Sequence, residues 1–169
     1  TVVSYIRGDY FILKYDTGYN LLSSKKITVS NGNTLRVDQI VNKNDTIFLQ
    51  GYSDQPNVNF NGTASPGAIP ANNGNYFTAA YTSNTLACIW AFKQGVDKQR
   101  IRVNPTGGLA YAWQVNGLTF DIDPTPNTVL VNGGPFTNIF MAHFDTKTGA
   151  VITTSGKAPR RISDTLINT

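Results

Sequence analysis

The stretch Leu109-Ala110-Tyr111-Ala112-Trp113-Gln114-Val115-Asn116-Gly117-Leu118-Thr119-Phe120-Asp121-Ile122-Asp123 decides the fold class. Large apolar residues alternate with small or polar ones on both sides of Asn116-Gly117, the period of a half-buried β-strand. An Asn-Gly pair between two such runs predicts a type I′ turn, because both central residues need positive φ. The expected hairpin, strands 109–115 and 118–123, sets Val115 opposite Leu118, Trp113 opposite Phe120 and Tyr111 opposite Ile122 on a core face. Gln114 then faces Thr119, Ala112 faces Asp121 and Ala110 faces Asp123 on a wet face.

Composition extends this reading to the whole chain. All ten acidic residues are Asp, and the chain has no Glu and one Met, so favoured helix formers are scarce while Thr, Asn and Tyr abound. At 169 residues the chain is long enough for one hydrophobic core. We therefore expect an all-β protein, a two-sheet antiparallel sandwich of jelly-roll or Greek-key type, over residues 1–154, with a polar C-terminal tail at 155–169. A β-trefoil or a barrel is the alternative, although three similar segments of the kind a trefoil repeats are not evident.

Charged residues make up 14% of the chain and the net charge is +4, which permits an anionic partner without concentrating charge as nucleic-acid binders do; nucleic acid is not the expected partner. No apolar run approaches the ~20 residues of a spanning helix, so membrane insertion is not expected. The chain starts at Thr1 with no signal peptide, and the expectation is a processed or excised chain. Cys88 is the single cysteine, which leaves no partner for an intrachain disulfide or a thiolate cluster, and it reads as an inert strand thiol beside Leu86, Trp90 and Phe92.

In chain order, strands are expected at 2–6, 9–15, 26–30, 34–41, 45–52, 76–81, 86–93, 99–103, 127–131, 139–144 and 150–154, with 26–30 and 34–41 forming a hairpin and 86–93 central. The triplet Arg7-Gly8-Asp9 matches an adhesive tripeptide but is too short to assign a role. Sequons at Asn44-Asp45-Thr46 and Asn61-Gly62-Thr63 are what an Asn- and Thr-rich chain produces.

Between 53 and 75 the strand rhythm stops, and Pro56, Pro66, Pro70, Gly62, Gly67 and Gly74 gather among several Asn. This is the expected binding loop. Sugars stack their C–H faces on rings while amides and hydroxyls bond to their oxygens, so Tyr52, Asn59, Phe60, Asn61, Asn73, Tyr76 and Tyr81 are the candidate ligand-binding residues. Lys98, Arg100 and Arg102 form a basic stripe suited to anions.

Catalytic chemistry has little to draw on. His143 and Asp145 share a strand face, and Asp121 with Asp123 could hold Ca²⁺ or act as an acid and base, but no nucleophile motif accompanies them and no cofactor is implied. The expectation is a non-enzymatic module at an extracellular, secreted or particle surface, binding a glycan or host surface receptor. The alternatives are a structural subunit of a viral coat or appendage, which would homo-oligomerise, and a hydrolase using Asp121, Asp123 or His143.

Overall fold

The structure, a computed structural model, describes residues 2–6, 9–28, 34–54, 58–60, 76–94, 97–103, 109–116, 119–123, 128–132, 137–153 and 160–162. Among the described residues there is no helix, and every sheet is antiparallel. The strands are β1 (Val2–Ile6), β2 (Asp9–Tyr15), β3 (Leu21–Thr28), β4 (Leu35–Lys43), β5 (Thr46–Ser53), β6 (Tyr76–Thr82), β7 (Cys88–Gln94), β8 (Asp97–Val103), β9 (Leu109–Asn116), β10 (Thr119–Asp121), β11 (Leu130–Asn132), β12 (Thr137–Phe144) and β13 (Arg160–Ile162). The chain divides into two compact units, Thr1–Lys93 and Gln94–Thr169.

The first unit carries a three-stranded sheet, β1-β2-β3, and a four-stranded one, β4-β5-β6-β7. Strands β5 and β6 are buried along nearly their whole length, with Ile47, Phe48, Leu49, Phe77, Ala79, Ala80 and Tyr81 inaccessible. Both of their faces are therefore covered, and their sequences read as continuous apolar runs rather than alternations. Strand β4, at the sheet edge, alternates between inward Leu35 and exposed Arg36 and Asp38. The Tyr10 hydroxyl of β2 donates to the Leu35 carbonyl of β4, and Thr28 at the end of β3 exchanges backbone bonds with Asn59, which lies outside the strands.

Two expectations fail in this unit. The segments 26–30 and 34–41 do not form a hairpin: β3 pairs with β2, β4 pairs with β5, and the expected turn at 31–33 lies outside the described residues. Strand β3 starts at Leu21, where exposed Leu21 and Leu22 break the period-two pattern that would have announced it. The 86–93 segment is not central either, since β7 closes one end of its sheet. Its apolar residues pack among themselves and sideways, Trp90 stacking on Phe92 at 5.3 Å and lying 6.0 Å from Phe48.

The second unit holds the four-stranded sheet β13-β12-β9-β8 and the pair β10-β11. The hairpin expected across Asn116-Gly117 does not close. Strand β9 is bonded to β12 along its whole length and to β8 on its other edge, so no edge remains for 118–123, and β10 pairs with β11 instead. Eight cross-strand pairs with β12 outweigh a local turn preference that would secure a shorter ladder. The faces of β12 match expectation: Phe140, Ala142 and Phe144 are buried, while Met141 is exposed and His143 half-buried. Part of the polar tail is built into this sheet as β13.

One polar pair sits in the apolar centre of the first unit. Gln50 and Thr78 are cross-strand partners, both buried, and neither Gln50 Oε1 nor Thr78 Oγ1 has a hydrogen-bond partner. An orphaned buried hydroxyl costs stability that an isosteric methyl restores. Thr78→Val is expected to raise unfolding stability by about 1 kcal/mol, read as a higher midpoint in urea at unchanged slope.

Candidate functional site

The four-stranded sheet of the first unit ends in a transverse row, Arg36 on β4, Tyr52 on β5 and Tyr76 on β6, each in register with the next. Register alone places their side chains on one face, because residues directly opposite in an antiparallel ladder point the same way. The Tyr52 and Tyr76 rings meet edge to face with centroids 5.6 Å apart, and the Arg36 guanidinium lies 5.7 Å from the Tyr52 centroid. Both rings are half-buried, anchored on one side and open on the other, while Arg36 is exposed.

A β-bulge builds this row. The pairing of β4 with β5 jumps between Val37 and Gln39, leaving Asp38 as the extra residue. Asp38 closes a two-point ion pair with Arg36, Nε to Oδ1 at 2.5 Å and Nη2 to Oδ2 at 3.0 Å. This bond raises the Arg36 pKa above its ordinary value, and the guanidinium stays charged. Gly51 makes the crossing fit: a Cβ there would stand 1.8 Å from the Arg36 carbonyl oxygen and 2.9 Å from the Phe77 ring. Arg36 and Tyr52 can be brought side by side only across a residue with no side chain.

The other candidate residues part company. Phe60 and Tyr81 do come together, the Tyr81 hydroxyl donating to the Phe60 carbonyl at 2.9 Å and Phe60 packing on Phe77 at 4.9 Å, but both are fully buried. Asn59 holds its backbone against Thr28 at 3.2 and 3.4 Å. Asn61 and Asn73 lie outside the described residues, as does the Arg7-Gly8 part of the adhesive-type triplet. Sequence reasoning missed Arg36 and Asp38, whose proximity depends on the bulge; the signal that could have found them is Gly51, an isolated glycine inside a strand pattern.

It also missed an exposed apolar tip between β2 and β3. Tyr19 is 88% exposed and Leu21 and Leu22 are each 56% exposed. Asp16 holds this turn, its Oδ1 accepting from the Gly18 and Asn20 amides at 2.8 Å each and its Oδ2 from the Asn20 side chain at 2.9 Å. These bonds, that of the Asn20 side chain foremost, lower the Asp16 pKa. Tyr19 adopts φ of 63°, which puts its ring on display.

Two of the residues considered for catalysis, Asp123 and Asp145, accept backbone hydrogen bonds. Asp123 is buried, and its Oδ2 accepts from the Val151 amide at 3.2 Å. Asp145 caps its own turn, accepting from Lys147 N at 2.9 Å, Thr148 N at 2.8 Å and Thr148 Oγ1 at 3.0 Å. Asp121 lies on β10 and His143 is half-buried on β12. Among the described residues no three His, Cys, Asp or Glu gather as metal ligands. Arg102 is exposed on β8, which also carries Arg100 and Lys98, and the register with β9 shifts between Asp97 and Arg100.

Burial pushes the Cys88 thiol up to about 11, with nearby Lys25 pulling weakly the other way. The buried Tyr81 hydroxyl is pushed up as well, by burial first and by Cys88 second.

No protein-family model matches the chain, and comparison with curated proteins and with solved structures finds no match.

Two outcomes follow from this geometry. Gly51→Ala is expected to cost about 3 kcal/mol or fail to fold, because backbone rather than a movable side chain fills the space, and chemical denaturation reads it directly. A thiol raised from 9.0 to about 11 stays protonated at pH 9, so Cys88 alkylation in the folded chain should show its midpoint near 11. The same shift stabilises the fold fully below pH 9.0 and is lost as pH climbs through about 11, so stability should fall over that window and fall less in Cys88→Ala.

Proposed function

We propose that this chain is a non-enzymatic recognition module, a two-sheet antiparallel sandwich of jelly-roll or Greek-key type displayed at an extracellular or particle surface, and that it binds a glycan or a host surface receptor. The observation that carries this reading is the Arg36, Tyr52 and Tyr76 row with its Asp38 partner. Two half-open rings offer flat apolar surface to the C–H faces of a sugar, while the adjacent ion pair offers donors and acceptors to its hydroxyls. The row also lies at the end of the sheet from which the Asn- and Pro-rich stretch 61–75 leads into Tyr76, so that stretch is the expected source of further contacts. That Asp123 and Asp145 spend their carboxylates on backbone amides supports the non-enzymatic reading.

A second reading, a structural subunit that assembles, draws on the exposed Tyr19, Leu21 and Leu22 tip. An apolar hairpin end of this kind is the sort of feature a neighbouring subunit covers.

A glycan-array screen run beside size-exclusion chromatography with light scattering tests both. On the first reading, a defined sugar binds a monomer or small oligomer, and Tyr52→Ala and Tyr76→Ala each weaken it by about tenfold while the chain still folds and unfolds cooperatively. Unchanged binding in both variants would remove the row from the site. A silent array with a large assembly that Leu21→Asp dissolves would favour the second reading.

A further inference from the structure

The sheet of the second unit places arginines from two distant segments on one face. Arg100 of β8 is in register with Ala112 of β9, Ala112 with Met141 of β12, and Met141 with Arg160 of β13. The next row on the same face runs from Arg102 through Ala110 to His143. Residue alternation fixes which face this is: Arg102 and Met141 are exposed and Ala110 and His143 half-buried, whereas Ile101, Leu109, Ala142 and Phe144 of the intervening rows are buried. By register and alternation the positions of Arg100 and Arg160 share the face on which Arg102 is exposed, although Arg160 lies in the C-terminal tail.

The rows have a definite spacing. Along β8 the two arginine positions are about 7 Å apart, and across the sheet Arg100 and Arg160 are separated by three strand steps, roughly 14 Å. Between them β9 contributes Ala112 and Ala110 at these positions and β12 contributes Met141 and His143. The acids of this face stand at its ends. Asp97 is in register with Gln114 one row beyond Ala112, and Asp145 follows His143 but caps its own turn.

We infer that this face binds a sulfated or otherwise acidic polysaccharide. Guanidinium groups pair two-pronged with planar or tetrahedral oxyanions, and like charges held in rows attract a chain whose own charges repeat along its length. The aromatic residues of the sheet argue for this polyanion over a single-stranded nucleic acid. Tyr111 lies in the row of Ile101 and Ala142, and Trp113 lies opposite Phe140, so these ring-bearing residues belong to the other face. Bases laid across these rows would meet no Tyr, Trp or Phe position, and stacking on such rings is what holds single strands. A sulfated sugar chain needs only the charges.

The test is retention of the full chain on immobilised heparin, with dextran sulfate, neutral dextran and duplex DNA as competitors, at about 0.05 M and about 0.5 M salt. The wild type is expected to bind at low salt, to be released at high salt, and to be competed by dextran sulfate but not by neutral dextran. Arg100→Gln, Arg102→Gln and Arg160→Gln should each weaken binding by about three- to fivefold, and Lys43→Gln, which removes the same charge from the other unit, by less than about twofold. Arg160→Lys should bind as the wild type does, which separates a lost charge from a loosened edge strand. The proposal is overturned if the wild type is not retained at low salt, if duplex DNA competes as well as dextran sulfate does, or if Arg160→Gln behaves like Lys43→Gln.

Discussion

Strand β9 is hydrogen-bonded along both edges, to β12 on one side and β8 on the other, and the layout of the second unit follows from that double pairing. A strand has two rows of backbone donors and acceptors, and a segment that fills both has none left for its own sequence neighbour. The chain after Gly117 therefore leaves the sheet. It pairs as β10 with β11, the Ile122 amide donates to Val129, and Asp123 is carried inward to accept the Val151 amide. A carboxylate that would have stood on a wet sheet face instead secures a connection under cover. The same pairing sets parity, sending Tyr111 and Trp113 to one side of the sheet with Phe140 and Phe144, and Ala110 and Ala112 to the side of the arginines.

In the first unit the corresponding constraint is steric. The β4 backbone passes so close to β5 at Gly51 that a single methyl group would meet the Arg36 carbonyl, and this closeness coincides with the bulge at Asp38. Extra twist and a local re-aiming of side chains are the usual consequence of a bulge. Here the consequence is that Arg36 reaches both the Tyr52 ring and the Asp38 carboxylate. An exposed ion pair of this kind contributes little to stability, on the order of 0–1 kcal/mol, so its interest is positional: it fixes a long, flexible side chain beside two rings.

What the sequence disclosed and what it withheld divide along the same line. Alternation located Val2–Ile6 and Asp9–Tyr15 as strands and, in the second half of β12, placed the two faces as well, because there the signal is local. Tyr52 and Tyr76 could be singled out together because they bracket the Asn- and Pro-rich stretch at the ends of two strands, and register then sets them opposite each other. Arg36 could not, since its neighbour is decided by a one-residue slip fourteen positions from Tyr52 that leaves only Gly51 as its mark. Phe60 and Tyr81 were misjudged for the opposite reason. A ring beside an irregular segment reads as available, whereas Phe60 turns inward and its carbonyl takes the Tyr81 hydroxyl. The hairpin at Asn116-Gly117 shows the limit of turn chemistry, which states what a turn permits and not which strand wins the ladder.

The two exposed rows differ in how they handle charge, and that difference separates their chemistries. At Arg36 the guanidinium is met at two points by Asp38, so the row presents rings beside a pair of no net charge, and its attraction for a ligand comes from dispersion and short hydrogen bonds. Such contacts lose little to added salt. On the second sheet the positions of Arg100, Arg102 and Arg160 share a face on which β12 contributes Met141 and His143, and the nearest acid on β12's side, Asp145, already accepts three hydrogen bonds in its turn. Repulsion among like charges held on a rigid ladder is relieved only by counterions or by a polyanion, and a Debye length of about 8 Å at physiological ionic strength is comparable to the spacing of the arginine positions along β8. Neighbouring arginines on that strand therefore still sense one another through physiological salt, while those at opposite edges of the sheet do so only when salt is low. A ligand that bridges both edges gains from the full row where a small anion gains from one residue, and the geometry thereby favours extended polyanions over single ions.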